Sequence, residues 1–308
     1  MKKVIAFLFA VLAFSASSLQ ATEPEAAANL LSQKYAYKDF QNLSVSSSFE
    51  VTLVQDEKWF VEVEYSDFLQ DYLEVSVSSG TLRLGLKNIP RALQLRRKRN
   101  ERVLKAIVHM PRLERLSMSG ATKLFLDGHF SLPDGFFQLD MSGASKLENM
   151  SVDAQKARLV LSGAATCNSF EGSFSKVTMK TSGASKCRVN AAALDWDLTL
   201  SGASDIVLSG PACQTLDVES SGASKADVSI PSALLEYEGS GSSSLTALDA
   251  PTGKAKIEIS GASTCRIAVQ ESLEVEATGA SVCRYKAVDG APLKTQLDCS
   301  RGARIISL

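Results

Sequence analysis

Four kinds of residue in this 308-residue chain could do chemistry: the serines of a recurring tetrapeptide, six cysteines, two histidines and columns of carboxylates. The tetrapeptide, as at Ser142-Gly143-Ala144-Ser145, invites a serine nucleophile or a glycine loop that cradles phosphate. Its recurrence argues against both. The central glycine falls at Gly120, Gly143, Gly163, Gly183, Gly202, Gly222, Gly241, Gly261, Gly279 and Gly302, at spacings of 23, 20, 20, 19, 20, 19, 20, 18 and 23 residues. Chemistry needs such a loop once, whereas a near-constant period across two thirds of a chain marks a structural corner. Glycine permits the bend, the alanine is expected to fit inside a crowded corner, and the serines to cap the turn or meet water.

The remaining reactive residues fall into columns when registered on that glycine. Cys167, Cys187, Cys265 and Cys283 stand four positions after it, where other repeats carry Leu124, Leu147, Ile206 and Leu245. In such an inward column they are expected as free core thiols. Neighbouring coils about 4.8 Å apart would still bring Cys167 to Cys187, and Cys265 to Cys283, within disulfide range. Cys213 reads as part of a connecting stretch, and Cys299 joins an inward column if Arg301 is a bulge. No Cys-x-x-Cys pair or nearby histidine suggests a metal, and no cofactor is expected. His109 and His129 are the only histidines, and nothing in the sequence pairs either with a nucleophile.

Charged residues give two candidate sites. Glu219, Glu238, Glu258 and Glu276 stand three before the glycine in successive repeats, with Asp217, Glu236 and Glu274 alongside. Like charges stacked on adjacent strands repel, so solvent and Lys254 and Lys256 must offset them, or else a bound cation or basic partner. Between Arg91 and Lys105 lie Arg96, Arg97, Lys98, Arg99 and Arg102, with Glu101 the only carboxylate. That run reads as a solvated hairpin loop or as a patch for an anionic envelope component.

Strands must position all of these. Four and two residues before the glycine the repeats carry Leu116 and Met118, Leu139 and Met141, Leu159 and Leu161, an inward alternation of period two. A perimeter of about 20 residues at 3.3 Å each is roughly 66 Å, which suits a coil of two or three short strands. The period is too short for propeller blades, and the leucine-rich consensus is missing. The expected fold is therefore all-β: a single-stranded parallel β-helix, right-handed by analogy with parallel crossovers, with two short strands per coil. Residues 116–308 form its coils, and 39–115 supply earlier β strands, among them Leu73–Val77, Leu82–Leu86 and Val103–Met110. Residues 22–38 are an N-terminal segment able to cap the first edge, with a helix-friendly run over 22–34.

Residues 1–21 have the layout of a secretory signal peptide: Lys2 and Lys3, an apolar run from Val4 to Phe14, and Ala21 before a cleavage point. The apolar run is too short for a stable span, so an exported protein without a transmembrane helix is expected. A net charge of −1 gives no pull toward nucleic acid.

The Ser-Gly-Ala-Ser turns, together with Phe49-Glu50-Val51-Thr52-Leu53 and Val108-His109-Met110-Pro111-Arg112-Leu113, resemble the putative auto-transporter adhesin, head GIN domain family over about residues 39–300. The resemblance implies a secreted bacterial β-helix without established catalysis, and supplies no site residues. The later half looks like an extension or a second copy. Three function classes follow. The first is a non-catalytic envelope or surface protein that binds a glycan, an envelope component or another protein along a long face. The second is a carbohydrate-active lyase or glycosidase, and the third a structural subunit that assembles into oligomers.

Overall fold

Alternating inward and outward residues make every repeat a strand, and a computed structural model describes residues 29–90, 102–288, 293–300 and 302–308. The expected signal segment and Arg96, Arg97, Lys98 and Arg99 lie outside these. The fold is an all-β solenoid of about nine turns with roughly 20 residues per coil. Coils stack in parallel register, so Leu139 lies between Leu116 and Leu159, and Leu198 between Met179 and Val218. These columns turn inward and are buried, forming one continuous core. Instead of two short strands, several coils run as one long bent strand, such as Thr166–Thr181 or Lys186–Leu200, whose middle residues Gly172, Ser173 and Phe174 pair with Ala191, Ala192 and Ala193 on a third side.

The corner is built by backbone. Gly183 and Gly202 take φ of +72° and +70°, a region that side chains with a Cβ rarely enter. The N–H of the following alanine donates to the glycine carbonyl one coil earlier, at 2.7 Å for Ala184 to Gly163 and for Ala203 to Gly183. A Cβ on Gly183 would meet the Gly163 carbonyl oxygen at 2.5 Å. The alanine expected inside the corner is instead exposed, and the inward residue is the second serine. The left-handed glycine swings its successor out to solvent. Ser185, Ser204, Ser224 and Ser281 are buried and donate from Oγ to the carbonyl three residues earlier at 2.8–3.0 Å. At these corners the inward hydroxyl satisfies a backbone acceptor otherwise shut away from water, whereas at the Gly163 corner the inward place is held by the buried Ala165.

The first strands, β1 (Leu30–Tyr35), β2 (Asn42–Val45), β3 (Glu50–Gln55), β4 (Phe60–Ser66), β5 (Leu73–Ser78), β6 (Thr81–Leu86) and β7 (Leu104–Met110), do not stack in chain order. β2 and β3 form a coil around Ser47, at φ +72°. On one side they pair in parallel with β8 (Arg115–Met118) and β9 (Lys123–Asp127); on the other they pair with β6 and β7. The stack then ends in antiparallel strands: β5 on β6, β4 on β7 and β1 on β4. Thus β2, β3, β6 and β7 continue the solenoid, while β1, β4 and β5 close it. Over Leu30–Tyr35 the helical expectation gives way to a strand, because the free edge of β4 offers a complete ladder from Ser66 to Val61.

Replacing Gly183 by valine is expected to cost at least about 3 kcal/mol, from left-handed strain and the carbonyl clash together. Ala184→Lys, on the exposed neighbour, should cost under about 0.5 kcal/mol. Denaturant unfolding of both variants checks the contrast, and equal losses would refute the corner assignment.

Candidate functional site

Parallel stacking turns each outward column into a stripe along the rod, so a site here is a stripe whose charge the chain does not neutralise itself. The stripe after the corner pairs its carboxylates at Glu148 and Asp227 and elsewhere carries Lys186, Arg188, Arg266 and Arg284, which make no ion pair among the described residues. Glu148 accepts from Lys146 at 2.8 Å, Lys123 at 3.2 Å and Asn168 at 2.6 Å, and Lys225 pairs with Asp227. These donors, Lys146 foremost, hold the Glu148 carboxyl at about 2, against an ordinary 4.5.

The sheet before the corner is different. Glu219, Glu238, Glu258 and Glu276 are consecutive register partners, as the sequence columns require. They line a groove of about 410 Å³ that also takes in Thr199, Ser220, Ser240 and Ser260. Lys256 Nζ reaches Glu258 at 2.7 Å, the one ion pair to this ladder among the described residues. Asp217, in the adjacent stripe, has its carboxyl raised above the ordinary 3.8, first by partial burial and then by Asp197, Glu219, Glu236 and Glu238. The structure thus brings the carboxylates of Glu219, Glu238, Glu258 and Glu276 into one outward column. Of the expected basic patch only Arg102 is described; it is half-buried two residues before β7.

Sequence reasoning missed other constellations. His129, expected without a nucleophile, sits between Ser151 and Asp153: Nδ1 lies 2.8 Å from Ser151 Oγ and Nε2 3.1 Å from an Asp153 carboxylate oxygen. Residues 22 and 24 positions apart meet because one coil separates them, a juxtaposition visible only once the coil length is applied. Ser151 is in register with Glu171 of the next coil, so an acidic residue stands on the strand beside it. His109 makes a second pair, with Asp56 at 2.9 Å, which lowers the Asp56 carboxyl. A depression of about 490 Å³ near the antiparallel end sets the exposed Ile107 and Phe125 among Glu50, Glu62, Glu64, Lys105 and Lys123.

The cysteines occupy the core. Cys167 and Cys187 are register partners, as are Cys265 and Cys283, and all four are buried free thiols. The Cys187 and Cys265 thiols are pushed well up, Cys187 first by its bond with Cys167 and Cys265 first by burial. Cys213, expected in a connection, begins a strand and is buried, its pKa pushed up to about 11 by desolvation. Cys299 pairs with Ala277 in register but, against the inward place expected for it, is exposed at the last coil, where its thiol donates to the Ala303 carbonyl at 2.9 Å; Arg301 lies outside the described residues. Among the described residues, no helix is long and apolar enough to cross a membrane.

The family model described as putative auto-transporter adhesin, head GIN domain, matches residues 39–197 and again 186–287. No curated protein matches the chain. Among the solved structures to which the chain is similar at low identity are three putative adhesins. A putative adhesin from Parabacteroides merdae ATCC 43184 is 14% identical, with TM-score 0.50, over 91% of this chain and 96% of that one. A putative adhesin from Parabacteroides distasonis ATCC 8503 is 15% identical, with TM-score 0.47, over 91% and 98%. A putative adhesin from Bacteroides fragilis NCTC 9343 is 13% identical, with TM-score 0.44, over 91% and 97%.

The Glu148 carboxyl titrates lower folded than unfolded, so its stabilisation is present above pH about 4.5 and is lost as pH falls toward about 2. Because Glu148 is on the surface, Glu148→Gln should cost about 1 kcal/mol or less near neutral pH. Thermal melts should show that difference closing in acid; a pH-independent difference would refute the assignment.

Proposed function

The chain belongs to the putative auto-transporter adhesin, head GIN domain family, and from that premise we propose that it is an exported, non-catalytic binding protein of the cell envelope or surface that engages cationic partners through its acidic ladder. The observation that carries this reading is the groove over Glu219, Glu238, Glu258 and Glu276. Four carboxylates at about 4.8 Å intervals, with one lysine pairing one of them, form a linear negative stripe suited to a row of cations on a partner surface. The flat, regular outward columns favour recognition over an extended face, and among the described residues they form open grooves rather than a deep cleft that excludes water from a reacting bond.

Two further features support a binding role over hydrolysis. The Ser151-His129-Asp153 cluster is open to solvent, with His129 and Asp153 side chains 45% and 42% exposed. The Glu171 carboxylate beside Ser151 would oppose any negative charge developing on an acyl intermediate.

Replacing Glu219, Glu238, Glu258 and Glu276 together by glutamine should weaken retention on a polylysine-coated sensor at least tenfold, and salt should do the same to the unmodified protein. Equal retention by the variant would refute the ladder as the binding element. In parallel, no fluorophosphonate labelling of Ser151 and no new reducing ends or unsaturated products from a polysaccharide panel are expected. Either product class would overturn the non-catalytic reading.

A further inference from the structure

The same sheet carries a wider charge pattern that shares Glu219 and Glu238 with the acidic ladder and extends several coils beyond it. Its three outward stripes, read from the glycine backwards, pass through residues 140, 160, 180, 199, 219 and 238; residues 138, 158, 178, 197, 217 and 236; and residues 136, 156, 176, 195, 215 and 234. In the Gly163 and Gly183 coils the charged members are Lys156, Arg158, Lys176 and Lys180, with no carboxylate. In the next three coils they are Asp195, Asp197, Asp217, Glu219, Glu236 and Glu238, with no cation. Among the described residues, none of these ten makes an ion pair within the chain. The boundary is abrupt, falling between one coil and the next, and beside it lies a depression of about 340 Å³ lined by Lys176, Asp195, Asp197, Thr215 and Asp217.

We propose that this bipolar face binds a second copy of the chain, face to face and antiparallel, about a two-fold axis that runs along the strands between the Gly183 and Gly202 coils. The symmetry makes the inference specific, because an isologous contact requires one patch to complement itself. A two-fold axis in that place keeps each stripe opposite itself and sets the Gly183 coil against the Gly202 coil of the second copy. Lys176 then faces Asp195 of the second copy, and Lys180 faces Thr199. One coil further out Arg158 faces Asp217, and Lys156 faces Thr215. At the next coil Phe136, 47% exposed, meets the half-buried Leu234, and Gln138 meets Glu236. Every one of these contacts occurs twice. Complementarity stops beyond this, where Arg115 would oppose Lys256, and in the outermost stripe Asp140 opposes Glu238, so the contact is confined to six coils and is strongest in the two inner stripes.

Six coils span about 24 Å, and a face six residues wide about 20 Å, so the dimer buries on the order of 1,000 Å² in total, at the lower limit for a specific interface. A micromolar, salt-sensitive dimer is therefore the expected state, with its attraction supplied by charges that lie unpaired in the single chain. The arrangement goes beyond the binding role proposed above. It leaves the Glu258 and Glu276 ends of the two acidic grooves uncovered at opposite ends of the assembly, which makes the dimer bivalent.

The test reads oligomeric state alone, so it stands or falls independently of any ligand. Sedimentation velocity of the full chain should show a monomer–dimer equilibrium at low salt that weakens at least tenfold at high salt. Arg158→Glu with Lys176→Glu should abolish the dimer, as should Asp195→Lys with Asp217→Arg in a separate chain. An equimolar mixture of the two should form a heterodimer. The neutral pair Arg158→Gln with Lys176→Gln, which retains most of the side-chain bulk, should weaken the wild-type dimer at least tenfold. A wild-type chain that remains monomeric at high micromolar concentration and low salt would overturn the proposal. So would a dimer indifferent to these substitutions, or charge-reversed chains that stay monomeric when mixed.

Discussion

The hydrogen bond from each corner N–H to the glycine carbonyl one coil below is the constraint on which the rest of the solenoid depends. At 2.7 Å, repeated from Ala121 on Ser47 through Ala280 on Gly261, it locks successive corners directly above one another. Only glycine gives both the positive φ and the absent Cβ that such close stacking needs, and where Ser47 stands in its place the chain is at the first coil of the series. Once corners are superposed, every strand is in register with its neighbours without further specification. A slip by one residue would turn the whole inward column to solvent, so the corner and the core enforce the same alignment.

That alignment explains both the composition of the core and its few polar members. Columns of Leu, Val, Ile and Met fill the interior, and the four stacked cysteines occupy places meant for an aliphatic side chain. The buried serines are there for another reason: at the corners of Ser185, Ser204, Ser224, Ser263 and Ser281 the hydroxyl donates to a backbone carbonyl three residues earlier. The antiparallel strands β1, β4 and β5 resolve a different problem. A parallel stack ends in a bare ladder of backbone groups, and reversing chain direction lets one short segment cover that edge.

Register also converts sequence columns into surface stripes, which is how a repetitive protein comes to have distinguishable faces. The stripe after the corner pairs its carboxylates along and across coils, as around Glu148, and leaves Lys186, Arg188, Arg266 and Arg284 facing outward. The sheet before the corner segregates them, so that one stretch of coils is cationic and the next anionic, and the cost of the latter appears in the raised Asp217 carboxyl. Segregated charge on a flat sheet is destabilising within the chain and useful only toward something outside it.

The sequence by itself determined the period, the parallel coil, the inward columns and the register of the acidic ladder. All of these follow from alternation and from a glycine that recurs every 20 residues or so, and alternation is a local property. Which corner residue turns inward was not legible, because alanine and serine are equally small and the left-handed glycine decides between them. The Ser151-His129-Asp153 contact was equally hidden: it depends on the exact coil length around Gly128, in a stretch where the spacing departs from the mean. The reversal of β4 and β5 and the placing of β6 and β7 beneath β2 and β3 belong to tertiary structure alone. Strand pattern says that a segment pairs, and only competition among the available edges decides with which neighbour and in which direction.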